Sequence, residues 1–158
     1  MAYIYPAPGV ANVECTLSIT SAVGLTGNLT LPALQDITIN NSNDVFTWTQ
    51  LDEGDKLQVA TTATNSLAMN IVLDKTTFFG ANPTAGGSVG NVGVFGLSKN
   101  KNKVSFSLYM GDTDGGATGP TLTGSGYITG LAPTVSADAP VWVSPITITV
   151  DGAYTAAV

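Results

Sequence analysis

The sequence contains no histidine. That absence removes a Ser-His-Asp triad, a Cys-His pair and any His-ligated zinc site together. Eleven acidic residues could in principle supply the two carboxylates of glycoside hydrolysis, one with a raised and one with an ordinary pKa across a cleft. Most of them fall at turns, where Asp is favoured because its side chain bonds the local backbone, and the chain has no arginine to hold a substrate. The run Asp112-Thr113-Asp114-Gly115-Gly116 opens like a calcium loop, with alternate carboxylates followed by glycine. It then departs from that pattern: a third oxygen ligand before the glycine is missing, and Thr123 stands at the twelfth position where a glutamate belongs. A plain turn is expected there. No P-loop, dinucleotide fingerprint or G-x-S-x-G elbow occurs. Cys15 is the only cysteine, so no intramolecular disulfide can form, and its place in the alternation Val13, Cys15, Leu17, Ile19 marks it as a small core residue. The residues therefore predict no enzyme, no cofactor and no metal site.

Aromatic residues offer a different chemistry, since Trp48, Tyr109 or Trp142 could stack on a sugar ring. Such side chains serve more often as core. A carbohydrate-binding module thus stands as an alternative to a structural role.

The charge content points elsewhere. Only 10% of residues are charged, against about a quarter in an ordinary soluble domain, while 44% are apolar. Disorder requires the opposite combination, so the chain should fold. No window approaches the roughly 18 apolar residues of a membrane helix, because Thr, Ser or Asn interrupts every apolar run. Uncharged surface on this scale is best covered by other copies of the same chain in a permanent assembly. The net charge of -6 argues against a nucleic-acid reader, which needs a basic stripe; Lys99, Lys101 and Lys103 alternate with Asn as a solvated turn. Met1 to Pro6 shows neither the charged nor the apolar region of a secretion signal, so none is expected.

Period-two alternation sets the elements. Strands are predicted at Asn12 to Thr20, Asn28 to Leu31, around Ile37 and Ile39, Val45 to Leu51, Ser66 to Asp74, Val104 to Met110, Thr121 to Thr129 and Val141 to Val150. A turn is expected at Asn40 to Asp44, and a hairpin tip at the charge cluster Asp52-Glu53-Gly54-Asp55-Lys56. Residues 81 to 91 read as a Gly- and Pro-rich loop, and Gly93 to Lys99 as either a short helix or an edge strand. Pro145 places an edge or a bulge in the last strand. The expected fold is all-β, a β-sandwich or partly closed barrel of about seven to nine short strands with at most one short helix. Residues 1–158 form a single domain in this reading, with an extended N-terminal segment to about residue 11 and a C-terminal tail from about residue 152.

The strand Val104-Ser105-Phe106-Ser107-Leu108-Tyr109, the run Gly126-Tyr127-Ile128-Thr129, an uncharged linker and the closing Ile146-Thr147-Ile148-Thr149-Val150-Asp151-Gly152 follow one another in an order that resembles the C-terminal half of phage tail-tube proteins. The resemblance implies a β-sandwich, often with a flanking helix, that assembles as hexameric rings stacked into a hollow tube through which the genome leaves the virion. It implies self-association, contact with other virion tail proteins, assembly in the host cytoplasm, passage of DNA without specific binding, and no membrane. Neighbouring subunits would join their sheets, with Ile146, Ile148 and Val150 as the candidate inter-subunit strand. Asp52, Glu53 and Asp55 become candidates for the lumen, where carboxylates repel phosphate, or for the contact between stacked rings. A capsid decoration protein would share the same scarcity of charge and remains the other virion reading.

Overall fold

The structure, a computed structural model, describes residues 3–7, 14–31, 34–52, 54–113 and 119–158. Its strands are β1 (Ile4–Tyr5), β2 (Thr16–Ala22), β3 (Leu29–Leu31), β4 (Leu34–Thr49), β5 (Lys56–Val72), β6 (Val104–Tyr109), β7 (Asp112–Thr113), β8 (Thr121–Leu131), β9 (Val143–Val150) and β10 (Thr155–Ala157), with helices α1 (Lys75–Phe79) and α2 (Val89–Lys99) between β5 and β6. The fold is mostly β, and all pairings between these strands are antiparallel. The large sheet runs β3-β2-β6-β8-β9-β5-β4, with β10 added beside β8, while β1 and β7 pair separately.

Strand β8 joins two half-sheets. Its first half, Thr121 to Gly126, pairs with β6, and its second half, Gly126 to Leu131, pairs with β9. A side chain at Gly126 would lie 2.1 Å from the Thr149 carbonyl oxygen, and one at Gly124 would lie 2.8 Å from the Phe106 ring. The Gly-Ser-Gly run therefore lets the second half-sheet close over the core. That core gathers Leu17 and Ile19 of β2, Leu67, Met69 and Ile71 of β5, Val104, Phe106 and Leu108 of β6, Ile146, Ile148 and Val150 of β9, and the helix residues Phe78, Val89, Val94 and Leu97. Cys15 packs half-buried against its rim, and burial pushes the thiol pKa up.

Several elements differ from the sequence expectation, each for a physical reason. The strand expected from Asn12 begins at Thr16 among the described residues, and Asn12 and Val13 lie outside them. Asn40 to Asp44 does not turn: β4 continues through it, because Asn40 to Asn43 each find a rung opposite β5 and Asp44 sits at the bulge that follows. Asp44 accepts from the Thr62 hydroxyl at 3.0 Å through its carboxylate and from the Thr61 hydroxyl at 3.2 Å through its carbonyl, so its polar groups are satisfied without a turn.

Two helices form where at most one was expected. Asp74 caps α1 by accepting from the Thr77 amide at 2.9 Å. Ser88 caps α2 by accepting from the Asn91 amide at 3.2 Å, and this helix takes the last three residues of the expected loop, Val89 to Asn91, together with Gly93 to Lys99, where a short helix and an edge strand were both open. Gly90, Gly93 and Gly96 leave that choice open in the sequence, since each glycine disfavours a helix by roughly 1 kcal/mol relative to Ala. Packing outweighs that cost: Val89, Val92, Val94 and Leu97 are buried. Gly93, at φ 70°, kinks α2 where a side chain would lie 2.4 Å from the Gly80 amide nitrogen, so the two helices meet there backbone to backbone. The expected C-terminal tail carries β10, pinned by Thr155, Ala156 and Ala157 to Thr123, Leu122 and Thr121.

Candidate functional site

Strands β4 and β5 form one long hairpin, with paired rungs from Leu34 and Ile71 out to Thr49 and Lys56. Its lower part belongs to the body, where β9 covers the other edge of β5 from Val72 to Ser66. Beyond the rung Asn40–Ser66, β5 has no third strand beside it among the described residues. From there Asn41 to Thr49 and Lys56 to Asn65 run out as a two-stranded arm about 30 Å long, at ~3.3 Å per residue. Nearly all of its side chains are exposed.

The arm reverses the hydrophobic pattern of the body. Below the bulge between Asn43 and Val45, the core-facing side of the hairpin carries Ile37, Ile39, Leu67 and Met69, and the opposite side carries Thr38, Asn40, Ser66 and Ala68. The extra residue of the bulge lies on β5, so the alternation of β4 continues unbroken. It brings Phe46 and Trp48, with their rung partners Val59 and Leu57, to the side opposite the core. Phe46 and Trp48 stack with ring centroids 5.8 Å apart, yet Phe46 is 60% and Val59 48% exposed. A continuous aromatic and aliphatic patch thus sits on a ribbon that cannot fold it onto its own core.

The hairpin tip lies where the sequence placed it. Asp52, Gly54 and Asp55 are exposed in the turn between Thr49 and Lys56, whereas Glu53 lies outside the described residues. Ile146, Ile148 and Val150 are elsewhere. All three are buried in the chain's own core, at 0%, 0% and 8% exposure, and over Ile146 to Thr149 β9 is paired with β5 on one edge and β8 on the other, while Val150 pairs with Gly126 of β8. An inter-subunit strand needs an open edge, so β9 does not qualify. The long open edge belongs to β4, which among the described residues pairs with β5 alone. Sequence reasoning missed it because the expected turn at Asn40 to Asp44 cut β4 in two.

The other sequence candidates do not converge. Trp48 is opposite Leu57, whereas the Trp142 carbonyl accepts from the Leu73 amide; Leu57 and Leu73 are about 50 Å apart along the strand direction at ~3.3 Å per residue. Tyr109 is half-buried, and its hydroxyl accepts from the Gly119 amide at 3.3 Å. These three rings do not share a sugar site. Asp112 and Thr113 lie in β7, while Asp114 to Gly116 lie outside the described residues. Among the described residues, no group of three or more Cys, Asp or Glu could hold a metal ion, and no helix is long and apolar enough to cross a membrane.

No family model and no curated protein matches the sequence. Solved structures do match the fold. A chain from the tail of an empty gene transfer agent particle, determined with C6 symmetry, superposes with a TM-score of 0.63 at 12% identity, covering 96% of this chain and all of that one. A chain of the six-fold symmetrised anti-feeding prophage baseplate gives 0.63 at 10% identity over 96% of both chains. A chain of the SPP1 tail tube gives 0.62 at 11% identity, over 96% of this chain and 81% of that one. Over nearly its whole length, the chain has the fold of these tail and baseplate chains.

Proposed function

We propose that the protein is a virion structural protein, the subunit of a phage tail tube that polymerises as stacked rings around a conduit for DNA ejection. The observation that carries this reading is the fold shared, almost end to end, with chains of six-fold tails and of the SPP1 tail tube. The arm supports it independently, because an unpartnered apolar face on a projecting ribbon fits contact with another copy. The open edge of β4 is the place for a neighbouring subunit's sheet to continue. Asp52 and Asp55 at the arm's tip, together with Glu53 between them in the sequence, are the candidates for the lumen or for the contact between stacked rings.

In this role the protein is not an enzyme and takes no cofactor. It works in the virion tail, is assembled in the host cytoplasm and touches other tail proteins at the tube's ends. Its acidic balance lets DNA pass without binding. The test is negative-stain electron microscopy of the purified chain at high concentration. Hollow tubes with ring symmetry are expected. Discrete trimers, or monomers that never polymerise, would overturn the proposal and point to a decoration protein.

A further inference from the structure

The arm leaves the body at a defined rung, and one side chain from the C-terminal segment reaches both strands there. The Tyr154 hydroxyl lies 2.7 Å from the Ser66 carbonyl oxygen and 3.0 Å from that of Asn40. Asn40 and Ser66 are rung partners, and Ser66 is also the last residue of β5 paired with β9. The hydroxyl therefore donates at the hinge between a supported sheet and an unsupported ribbon. Its ring is fixed from the body side, edge-on to the core residue Phe106 with centroids 6.5 Å apart.

The residues before it secure the same junction to the rest of the fold. Asp151 donates its amide to the Ser125 carbonyl at 2.7 Å and pairs with Lys103 through its carboxylate. Gly152 turns the chain at φ 98°, and its carbonyl accepts from the Asn65 side-chain amide at 2.8 Å. Asn65 is buried at the arm's first free position. Segment 151–154 thus joins β6, β8, β4 and β5 at the arm's root. Since β10 holds the end of the chain on β8 by backbone pairing, the Tyr154 hydroxyl is not needed to dock that segment.

We propose that Tyr154 is a positioning residue that clasps the root of the β4–β5 arm and presets the arm for capture by a second copy of this chain. The proposal rests on the tube reading for its partner. Its geometry can be tested without any assembly. Tyr154→Phe keeps the ring on Phe106 and removes only the donor, while Tyr154→Ala removes both. In the unassembled protein, Tyr154→Phe should speed amide hydrogen exchange over the rungs from Asn40 to Asn43 and from Ala63 to Ser66. The expected effect is on the order of tenfold, the size of one neutral hydrogen bond, with exchange in β6 and β9 unchanged. In assembly, the critical concentration for tubes should rise by about fivefold to tenfold.

Unchanged exchange at the arm's root in Tyr154→Phe overturns the clasp. So does slowed assembly in Tyr154→Ala alone, which would make the ring a packing residue only. Faster exchange with an unchanged critical concentration overturns the presetting role. A chain that never forms tubes under any condition removes the tube reading and the arm's partner with it, yet leaves the exchange comparison to decide whether the hinge is clasped.

Discussion

Strand β5 lives under two regimes. From Ser66 to Ile71 it lies between β4 and β9, with Leu67, Met69 and Ile71 buried. From Lys56 to Thr64 it pairs, among the described residues, with β4 alone, and almost every side chain is exposed. Both stretches are rich in β-branched and small residues, and both form the same kind of rung. What differs is the third strand and the direction in which the apolar side chains point. A two-stranded ribbon without a covered face is marginal in water, so the body supplies stability and the arm supplies a surface. Placing them on one continuous strand makes the position of that surface depend on the geometry at the Asn40–Ser66 rung.

The largest effect that separates the two regions should come from the body. Ile148→Ala removes a fully buried side chain from β9 and should cost about 2–5 kcal/mol of unfolding free energy, the range for large-to-small core changes. Chemical denaturation measures it, and a loss below roughly 1 kcal/mol would show that β9 is not part of a closed core. On the arm, Phe46→Ser combined with Trp48→Ser should leave the denaturation midpoint of the unassembled chain nearly unchanged. The same double variant should raise the critical concentration for tubes by at least about tenfold, equivalent to ~1.4 kcal/mol per subunit. If it instead unfolds the monomer, the arm is part of the core and the contrast with the body fails.

The body was largely legible in the sequence, and the arm was legible only in pieces. Leu67, Met69 and Ile71, or Val104, Phe106 and Leu108, announce half-buried strands by strict alternation. The same alternation around Ile146 to Val150 identified the strand but not its surroundings, because an interior strand and an interface strand bury side chains with the same period. Asn40 to Asp44 was misread because Asn, Ser and Asp favour turns only when their side chains take local backbone partners; here cross-strand rungs and two threonine hydroxyls meet those needs. Helix α2 stayed open against an edge strand because three glycines weaken its helical signal, and only one of them, Gly93, is explained by the close approach of the end of α1. Tyr154 carried no signal, since its partners are carbonyl groups of residues far away in the chain.

A smaller effect belongs to the body alone. The Asp74 carboxyl is held below its ordinary pKa, first by the Thr77 amide and then by the Thr77 hydroxyl. The folded state binds this proton more weakly than the unfolded chain does. The cap therefore contributes fully above the unfolded value near ~3.9, and its contribution is lost as pH falls through the lower folded value. Asp74→Ala should lower the thermal midpoint by only a few degrees at neutral pH, and the difference from the unaltered chain should shrink in acid. Tube assembly at neutral pH should not change, because α1 follows the end of β5 opposite the arm; a changed critical concentration would tie the helices to the interface.

The smallest effect lies at the arm's tip, and there its sign matters more than its size. Asp52 and Asp55 are exposed, so each contributes little on its own, and Asp52→Asn with Asp55→Asn should move the critical concentration by less than about threefold. If six tips converge around a lumen, like charges repel across the ring, and removing them should lower the critical concentration at low salt. If each tip instead meets a lysine-bearing surface of the next ring, such as the Lys99 to Lys101 turn, removing them should raise it. Either difference should fade toward 1 M salt, where the Debye length is about 3 Å. A difference that persists at high salt would mean that the tip acts through packing, and the arm's apolar face would then extend to its end.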